Sequence, residues 1–89
     1  MYRLLLHKQV ISFVYTRVPQ EKKLIATKFE LLKVNPRHHP GLDIKKMVGL
    51  DDVYRLRIGK YRFLYTIDDT KVLIFIMVAS ARGDVYKSI

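Results

Sequence analysis

The chain has 89 residues and a formal net charge of +9, with 17 Lys and Arg against 8 Asp and Glu. We expect a single domain over residues 1–89, because this length excludes a multi-domain enzyme with its own cofactor domain. Apolar residues make up 49% of the chain, which is enough for a core and argues against disorder. The lack of cysteine excludes a disulfide framework, a thiolate nucleophile and a Cys-ligated zinc site.

The charge excess points to an anionic partner, which could be RNA, DNA, an acidic protein or a membrane surface. Residues 1–44 hold 8 basic and 3 acidic residues, and residues 45–89 hold 9 and 5, so only the fold could gather a basic patch. The uncharged stretch from Val72 to Ala81 is about half of what a membrane-spanning helix needs. Arg3 and Lys8 interrupt the N-terminal apolar run, so we expect no signal peptide, no membrane partner and a cytoplasmic protein.

The first half of the chain predicts one strand and two helices. Tyr2–Leu6 is a short apolar run typical of a strand, and His7–Arg17 has the apolar spacing of a short amphipathic helix. The pair Val18-Pro19 ends that helix, and the proline suits the first turn of a second helix over Gln20–Val34. The apolar stripe of this second helix consists of Leu24, Ile25, Phe29, Leu31 and Leu32.

The second half predicts strands. Residues 35–41 form a loop by their Pro and Gly content, and residues 42–49 fit no single element. Strands are predicted over Val53–Ile58, Tyr61–Ile67 and Val72–Ala79, with Gly59-Lys60 as a two-residue type II′ turn and residues 68–70 as a second turn. The order β-α-α-β-β-β predicts an α+β fold, in which an N-terminal strand and a helical hairpin pack on an antiparallel sheet.

The two-residue turn determines which hairpin residues share a face, because side chains alternate along a strand. One face is apolar and consists of Tyr54, Leu56, Ile58, Tyr61, Phe63, Tyr65 and Ile67. We predict that this face is the core and that the helical residues Leu24, Ile25, Phe29 and Leu32 cover it. The opposite face holds Arg55, Arg57 and Arg62, with no acidic residue among them and with Arg57 directly opposite Arg62.

Like charges opposite each other destabilise a sheet, and nothing nearby in the sequence neutralises these arginines. Their planar guanidinium groups match phosphate oxygens, so the cluster is either an anion site or a solvated basic face without a specific ligand. Continuing the register through the second turn places Met77 beside Arg62, with Leu73 and Phe75 further along the same face. This apolar surface needs a cover, which the chain's own C-terminus, a partner segment or nucleobases could provide.

Three segments resemble the RelE/ParE superfamily of toxins from type II toxin–antitoxin modules. They are KMVG at residues 46–49, VYRLRIGKYRFLY at 53–65 and ARGDVY at 81–86. The resemblance implies the RelE-like microbial RNase fold. It also implies the activity of the RelE-type mRNA interferases: ribosome-dependent cleavage of mRNA in the A site, with the 2′-OH as nucleophile and with neither metal nor cofactor, which inhibits translation.

The resemblance also implies site residues. The catalytic set is Arg62, Arg82 and Tyr86, and the RNA-binding set is Arg55, Arg57, Lys60 and Lys46. We expect Arg62 and Arg82 to hold the scissile phosphate, with Arg55 and Arg57 on the flanking backbone. Tyr86 could act as the base, stack on a nucleobase or orient the nucleophile. Some relatives have a histidine just before the last-strand arginine, and here residues 79–81 are Ala-Ser-Ala, so the identity of the general base stays open.

The implied partners are a cognate acidic, RelB-like antitoxin, the ribosome and mRNA, with operator DNA bound only through the antitoxin. Two alternatives remain: a ParE-like inhibitor of DNA gyrase, and an inactive module that binds nucleic acid or acts as a co-repressor. ParE-like members usually lack the complete Arg and Tyr set, which favours the RNase. His7, His38 and His39 do not form a metal-binding pattern, because adjacent histidines in a Pro-flanked loop rarely supply a closed site.

Overall fold

The computed structural model describes residues 1–82, which form two helices and five strands. In chain order the elements are β1 (Arg3–Leu6), α1 (Lys8–Tyr15), α2 (Pro19–Val34), β2 (Asp43–Lys46), β3 (Val53–Ile58), β4 (Tyr61–Asp68) and β5 (Leu73–Ser80). The strands form one sheet in the order β1-β5-β4-β3-β2. The α+β class is confirmed. The additional strand β2 lies in the segment left unassigned from the sequence, and β1 pairs with β5 in parallel while all other pairs are antiparallel.

The two helices begin where local chemistry favours a helix start. The Nδ1 atom of His7 accepts a hydrogen bond of 3.0 Å from the backbone N–H of Gln9, so His7 is the N-cap of α1 rather than its first residue. Thr16 is the C-cap, which makes α1 shorter than predicted at both ends. Pro19 is the first residue of α2, where its missing N–H costs no hydrogen bond.

The core lies between the helices and the predicted apolar face of the hairpin. Its buried sheet residues are Tyr54, Leu56, Ile58, Tyr61, Phe63, Tyr65, Ile74, Ile76 and Ala79. Ile25, Phe29 and Leu32 of α2 pack against them, and Phe29 meets Phe63 edge to face at 5.2 Å between ring centroids. Leu24 is 46% exposed, so its assignment to the core is wrong. Successive helical residues point about 100° apart, so the orientation that buries Ile25 fully leaves its neighbour Leu24 at the border of the packed face.

The second hairpin differs from its prediction. Strand β4 runs on to Asp68, which pairs with Leu73, and the register shifts at Leu64/Tyr65. Leu64 pairs with Val78 and Tyr65 with Ile76, so the residue between them, Met77, is an unpaired bulge. The prediction that Met77 stands beside Arg62 is therefore wrong, and Arg62 pairs instead with Ser80.

Asp69 joins three distant parts of the chain. Its carboxylate accepts hydrogen bonds from the Tyr2 hydroxyl at 2.7 Å and from two Arg37 nitrogens at 3.2 and 2.9 Å. The Arg37 guanidinium holds the pKa of the Asp69 carboxyl below its usual value. The loop after α2, the start of β1 and the β4–β5 turn are thereby connected.

Tyr65 anchors the loop after α2 to the core through a hydrogen bond. Its buried hydroxyl donates a 2.6 Å hydrogen bond to the carbonyl of Pro36. Burial raises the pKa of the Tyr65 hydroxyl above that of a free phenol.

None of the helices in residues 1–82 is long and apolar enough to cross a membrane.

We expect Tyr65→Phe to lower the free energy of unfolding by about 1–3 kcal/mol, because it leaves the buried Pro36 carbonyl without a donor. Urea unfolding measures the loss. The matched control is Tyr15→Phe, since Tyr15 is 76% exposed and its hydroxyl has no partner within residues 1–82. Equal stability of the two variants would contradict the assigned role of Tyr65. The raised pKa also predicts a pH dependence. Above about pH 10 the Tyr65 phenol loses its proton more readily in the unfolded chain than in the folded one, so wild type becomes less stable as pH rises. Tyr65→Phe lacks this part of the loss.

Candidate functional site

The sheet has a second face, which we call the arginine face, on the side opposite both helices. Strand alternation and register give its members: Arg3, Leu5, Asp43, Lys45, Val53, Arg55, Arg57, Arg62, Leu64, Thr66, Asp68, Leu73, Phe75, Val78 and Ser80. Leu73 and Phe75 lie on this face as predicted. Cations outnumber carboxylates among its members, so the fold does gather a basic patch from an evenly charged sequence.

Arg57 and Arg62 stand directly opposite each other, as the two-residue turn predicts. Arg57 is exposed and its Nε donates to the carbonyl of Gly59 at 3.2 Å, while Arg62 is half-buried. Neither arginine forms an ion pair within residues 1–82. The two guanidinium groups therefore remain available to an anion on the sheet surface.

Arg55 differs from the other two arginines because it has an acidic partner. Its Nη2 lies 2.6 Å from Oδ1 of Asp43, and its side chain is only 18% exposed. Its Nε is buried and has no hydrogen-bond partner among the described residues. The expectation that nothing neutralises the arginines is therefore wrong for Arg55. Asp43 was overlooked because the sequence pattern did not reveal β2.

The lysines predicted to bind RNA are not grouped with the arginines. Lys46 pairs with Tyr54, whose side chain belongs to the helix-covered face, whereas Lys45 pairs with Arg55 on the arginine face. Lys60 lies in the exposed hairpin turn, with its Nζ 5.6 Å from the ring centroid of Tyr61. Lys45 is thus the lysine that sequence reasoning missed, and only the β2 register could have identified it.

Ser80 connects Arg62 to the end of the described chain. It pairs with Arg62 across the sheet, and its Oγ accepts a 3.0 Å hydrogen bond from the backbone N–H of Arg82. Beside this segment is an open cleft of about 650 Å³, lined by His7, Gln9, residues 77–80 and Arg82. Tyr86, the third residue of the predicted catalytic set, lies outside the described residues.

The chain itself covers part of the apolar surface of the arginine face, although neither Leu73 nor Phe75 belongs to the covered cluster. Leu64 is fully buried there and Val53 is 7% exposed, and the partly buried side chains packed on them are Met47, Leu50, Met77 and Val78. Met47 and Leu50 come from the turn between β2 and β3, which was not among the predicted covers. Within residues 1–82, this small second cluster contains no residue of α1 or α2.

The chemistry available on this surface is anion binding. Guanidinium groups remain protonated and donate hydrogen bonds, so they suit the stabilisation of a phosphate or of an oxyanion but not proton removal. The Nδ1 atom of His7 is already engaged, because it accepts the Gln9 N–H. Within residues 1–82, no group of three or more His, Asp or Glu side chains is placed to hold a metal ion.

Comparison with known proteins assigns the family. The family model described as "ParE toxin of type II toxin-antitoxin system, parDE" matches residues 8–85. A curated protein of Methanocaldococcus jannaschii, "Putative toxin RelE1", is 36% identical over 83 residues, which cover 93% of this chain and 92% of that protein. The chain belongs to the RelE/ParE superfamily of type II toxin–antitoxin toxins.

Solved structures agree with this assignment. The toxin fold recurs in the archaeal RelE-RelB complex from Pyrococcus horikoshii, with a TM-score of 0.80, 27% identity and coverage of 92% of this chain and 96% of that one. The isolated Escherichia coli RelE toxin matches with a TM-score of 0.75 over 99% of this chain and 94% of its own, and its 21% identity supports the fold alone.

The opposed arginines of this toxin predict a salt-dependent stability change. We expect Arg62→Thr to stabilise the fold relative to wild type at low salt by about 0.2–1 kcal/mol, because it removes the repulsion from Arg57, and its other cross-strand neighbour, Ser80, is uncharged. Arg57 is unsuitable for this test, because Asp43 lies opposite it on β2. The gain should shrink at about 1 M NaCl, where charges are screened. Urea unfolding at both salt concentrations is the measurement.

The control for this experiment is Arg3→Thr, which removes an arginine from the same face whose cross-strand neighbour is the uncharged Leu73. The account predicts a larger salt-dependent gain for Arg62→Thr than for Arg3→Thr. Identical salt dependence of the two variants would mean that Arg57 and Arg62 do not repel each other.

Proposed function

We propose that this toxin is a ribosome-dependent endoribonuclease that cuts mRNA in the A site by metal-independent attack of the 2′-OH. The observation that carries the proposal is the pairing of Arg57 with Arg62 on the sheet face opposite α1 and α2, with Arg82 linked to Arg62 through Ser80. An arrangement that costs folding stability is expected where it serves a ligand. A phosphate diester is the ligand that several neighbouring guanidinium groups recognise best.

The reaction places defined demands on the site. The 2′-oxygen forms a bond to phosphorus and loses its proton, the P–O5′ bond breaks, and the leaving 5′-oxygen takes up a proton. The products are a 2′,3′-cyclic phosphate and a 5′-hydroxyl. Between them lies a dianionic phosphorane, and fixed donors aimed at that charge are the largest contribution that such a site makes.

The arginines divide this work by their surroundings. Arg62 and Arg82 hold the scissile phosphate, because the Ser80 connection places them at the same end of the arginine face. Exposed Arg57 binds the adjacent backbone. Arg55 contributes less than the sequence suggests, since Asp43 already occupies part of its guanidinium group.

Tyr86 is the proposed proton acceptor or, alternatively, a stacking platform for a nucleobase. Beside the four matched arginines, its phenol is the group that can exchange a proton near neutral pH. Guanidinium groups placed next to it in the proposed site would favour the phenolate. Tyr86→Phe separates the two roles, because phenylalanine still stacks but has no proton to exchange.

An antitoxin is the proposed partner that controls the enzyme. The structural relatives include complexes of RelE with RelB from P. horikoshii and M. jannaschii. The net charge of +9 favours an acidic partner, and half-exposed Leu5 adds apolar surface at the edge of the arginine face. The same charge steers the toxin to the ribosome in a salt-sensitive manner.

We expect Arg62→Ala and Arg82→Ala each to reduce mRNA cleavage by about 10²–10³-fold, because each removes a donor to the phosphorane. Tyr86→Phe should lose activity to a similar degree if the phenol is the base and retain most of it if the ring only stacks. The measurement is primer extension on mRNA after induction in growing bacteria, together with growth inhibition. The matched control is Arg3→Ala, an arginine on the same face but outside the cluster. Full toxicity of folded Arg62→Ala and Arg82→Ala would refute the catalytic assignment.

The second candidate is inhibition of DNA gyrase, which the description of the matching family model favours. The two candidates leave different traces in the same induced cells. Codon-phased cuts in mRNA support the endonuclease. Linear plasmid or altered supercoiling with intact mRNA supports the gyrase inhibitor. Neither effect would favour an inactive module that binds nucleic acid or acts as a co-repressor.

A further inference from the structure

The outer edge of β5 loses its partner strand, β1, at the point where the candidate site begins. Strand β1 pairs with β5 as far as Leu6 and Ile76, and the His7 N–H then donates to the Ile76 carbonyl at 3.0 Å. Beyond this point the chain turns away into α1, which would leave the outer edge of β5 without a partner. An unpaired edge at this position would loosen the last residues of β5 before Arg82.

A side chain takes over the role of the missing strand. The Gln9 amide donates from Nε2 to the Ala79 carbonyl at 2.9 Å, and its Oε1 accepts from the Ala79 N–H at 2.9 Å. A backbone N–H only donates and a carbonyl only accepts, so these two partners fix which end of the amide is which. The Gln9 side chain thus forms the same pair of bonds that a neighbouring strand would form.

The backbone of Gln9 is held by His7, and its side chain amide is held by Ala79. The His7 ring accepts the Gln9 N–H at the first turn of α1, and the Met77 bulge shifts β5 so that Ala79 lies within reach of the amide. Ala79 is 3% exposed and pairs with Phe63 on its other side. Directly after it comes Ser80, which pairs with Arg62 and accepts from the Arg82 N–H.

We propose that Gln9 is a positioning residue, which holds Ala79 in strand geometry so that Arg82 is presented beside Arg62. The proposal deepens the endonuclease assignment and rests on it for its effect on cleavage, whereas its structural part stands independently. Gln9 itself touches no reacting atom. Without its amide, Arg82 loses its fixed place relative to Arg62, and a misplacement of this kind lowers the rate of the chemical step.

The test uses the full 89-residue chain with three substitutions. Gln9→Leu removes both hydrogen bonds to Ala79 and keeps a side chain of similar size. Gln9→Glu retains the acceptor for the Ala79 N–H but, when ionised, sets a carboxylate oxygen against the Ala79 carbonyl. Gln20→Leu is the control, because Gln20 is an exposed helical glutamine without a side-chain hydrogen bond in the described part of the chain.

The first measurement is amide hydrogen exchange of the purified proteins by NMR. We expect the Ala79 and Arg82 amides to exchange at least about tenfold faster in Gln9→Leu, while amides at the centre of β4 and the whole of Gln20→Leu remain as in wild type. Unchanged exchange at Ala79 overturns the proposal. A uniform increase at all amides also overturns it, because Gln9 would then support the whole fold rather than this segment.

The second measurement is the cleavage of ribosome-bound mRNA in a purified translation system. We expect kcat to fall about 10- to 100-fold in Gln9→Leu with KM for the ribosome complex unchanged, since the other cations still bind RNA. The ratio of Gln9→Glu to wild-type activity should rise as pH falls, because a protonated carboxyl restores both bonds to Ala79. His7, Lys8, Arg17 and Arg82 are the other charged or titratable groups lining the clefts that meet at Gln9, and both proteins share them.

The outcomes separate this proposal from the proposed function. If wild type leaves mRNA intact while the Ala79 and Arg82 amides still exchange faster in Gln9→Leu, the endonuclease assignment fails and the positioning of the segment stands. If wild type cleaves mRNA and Gln9→Leu cleaves it equally fast, the positioning role is overturned. If the ratio of Gln9→Glu activity to wild-type activity does not change with pH, the contact of Gln9 with Ala79 through two hydrogen bonds is likewise contradicted.

Discussion

A two-residue turn joins β3 to β4, and its first residue, Gly59, has a φ of +59° while Lys60 has a negative φ. This conformation matches the twist of the flanking strands and fixes the pairing of every residue behind it. A slip of one residue would exchange the two faces of the hairpin, placing arginines in the core and tyrosines on the surface. The core, the second apolar cluster and the arginine face all depend on this single register.

The same register creates an internal conflict that the rest of the fold has to accommodate. It places Arg57 opposite Arg62, which destabilises the sheet, but it also buries Leu56 and Phe63 completely on the other side. Burial of such side chains is worth more than the repulsion costs. Asp43 lies opposite Arg57 in the register but forms its ion pair with Arg55, so neither Arg57 nor Arg62 has an ion-pair partner within the described residues.

The sequence pattern was sufficient wherever local chemistry determines the structure. The Gly59-Lys60 turn, the faces of the first hairpin and the proline that starts α2 all follow from residues close together in the chain. The pattern failed where distant residues decide. The Met77 bulge is recognisable only from the pairing of β4 with β5. Strand β2 is short and largely polar, and it is recognisable only by its pairing with β3. The family resemblance suggested Arg62 and Arg82 as catalytic residues, which stays a prediction, but neither resemblance nor periodicity indicated Lys45, Asp43 or the contact between Gln9 and Ala79.

The central claim is that the arginine face holds a phosphate while the neighbouring 2′-OH attacks it. Analysis of the ends of mRNA fragments, produced by the purified toxin on ribosomes in the presence of a metal chelator, tests this claim most directly. The account predicts a 2′,3′-cyclic phosphate on the upstream fragment and a 5′-hydroxyl on the downstream fragment. Fragments with a 3′-hydroxyl and a 5′-phosphate, or mRNA that remains intact, would contradict it.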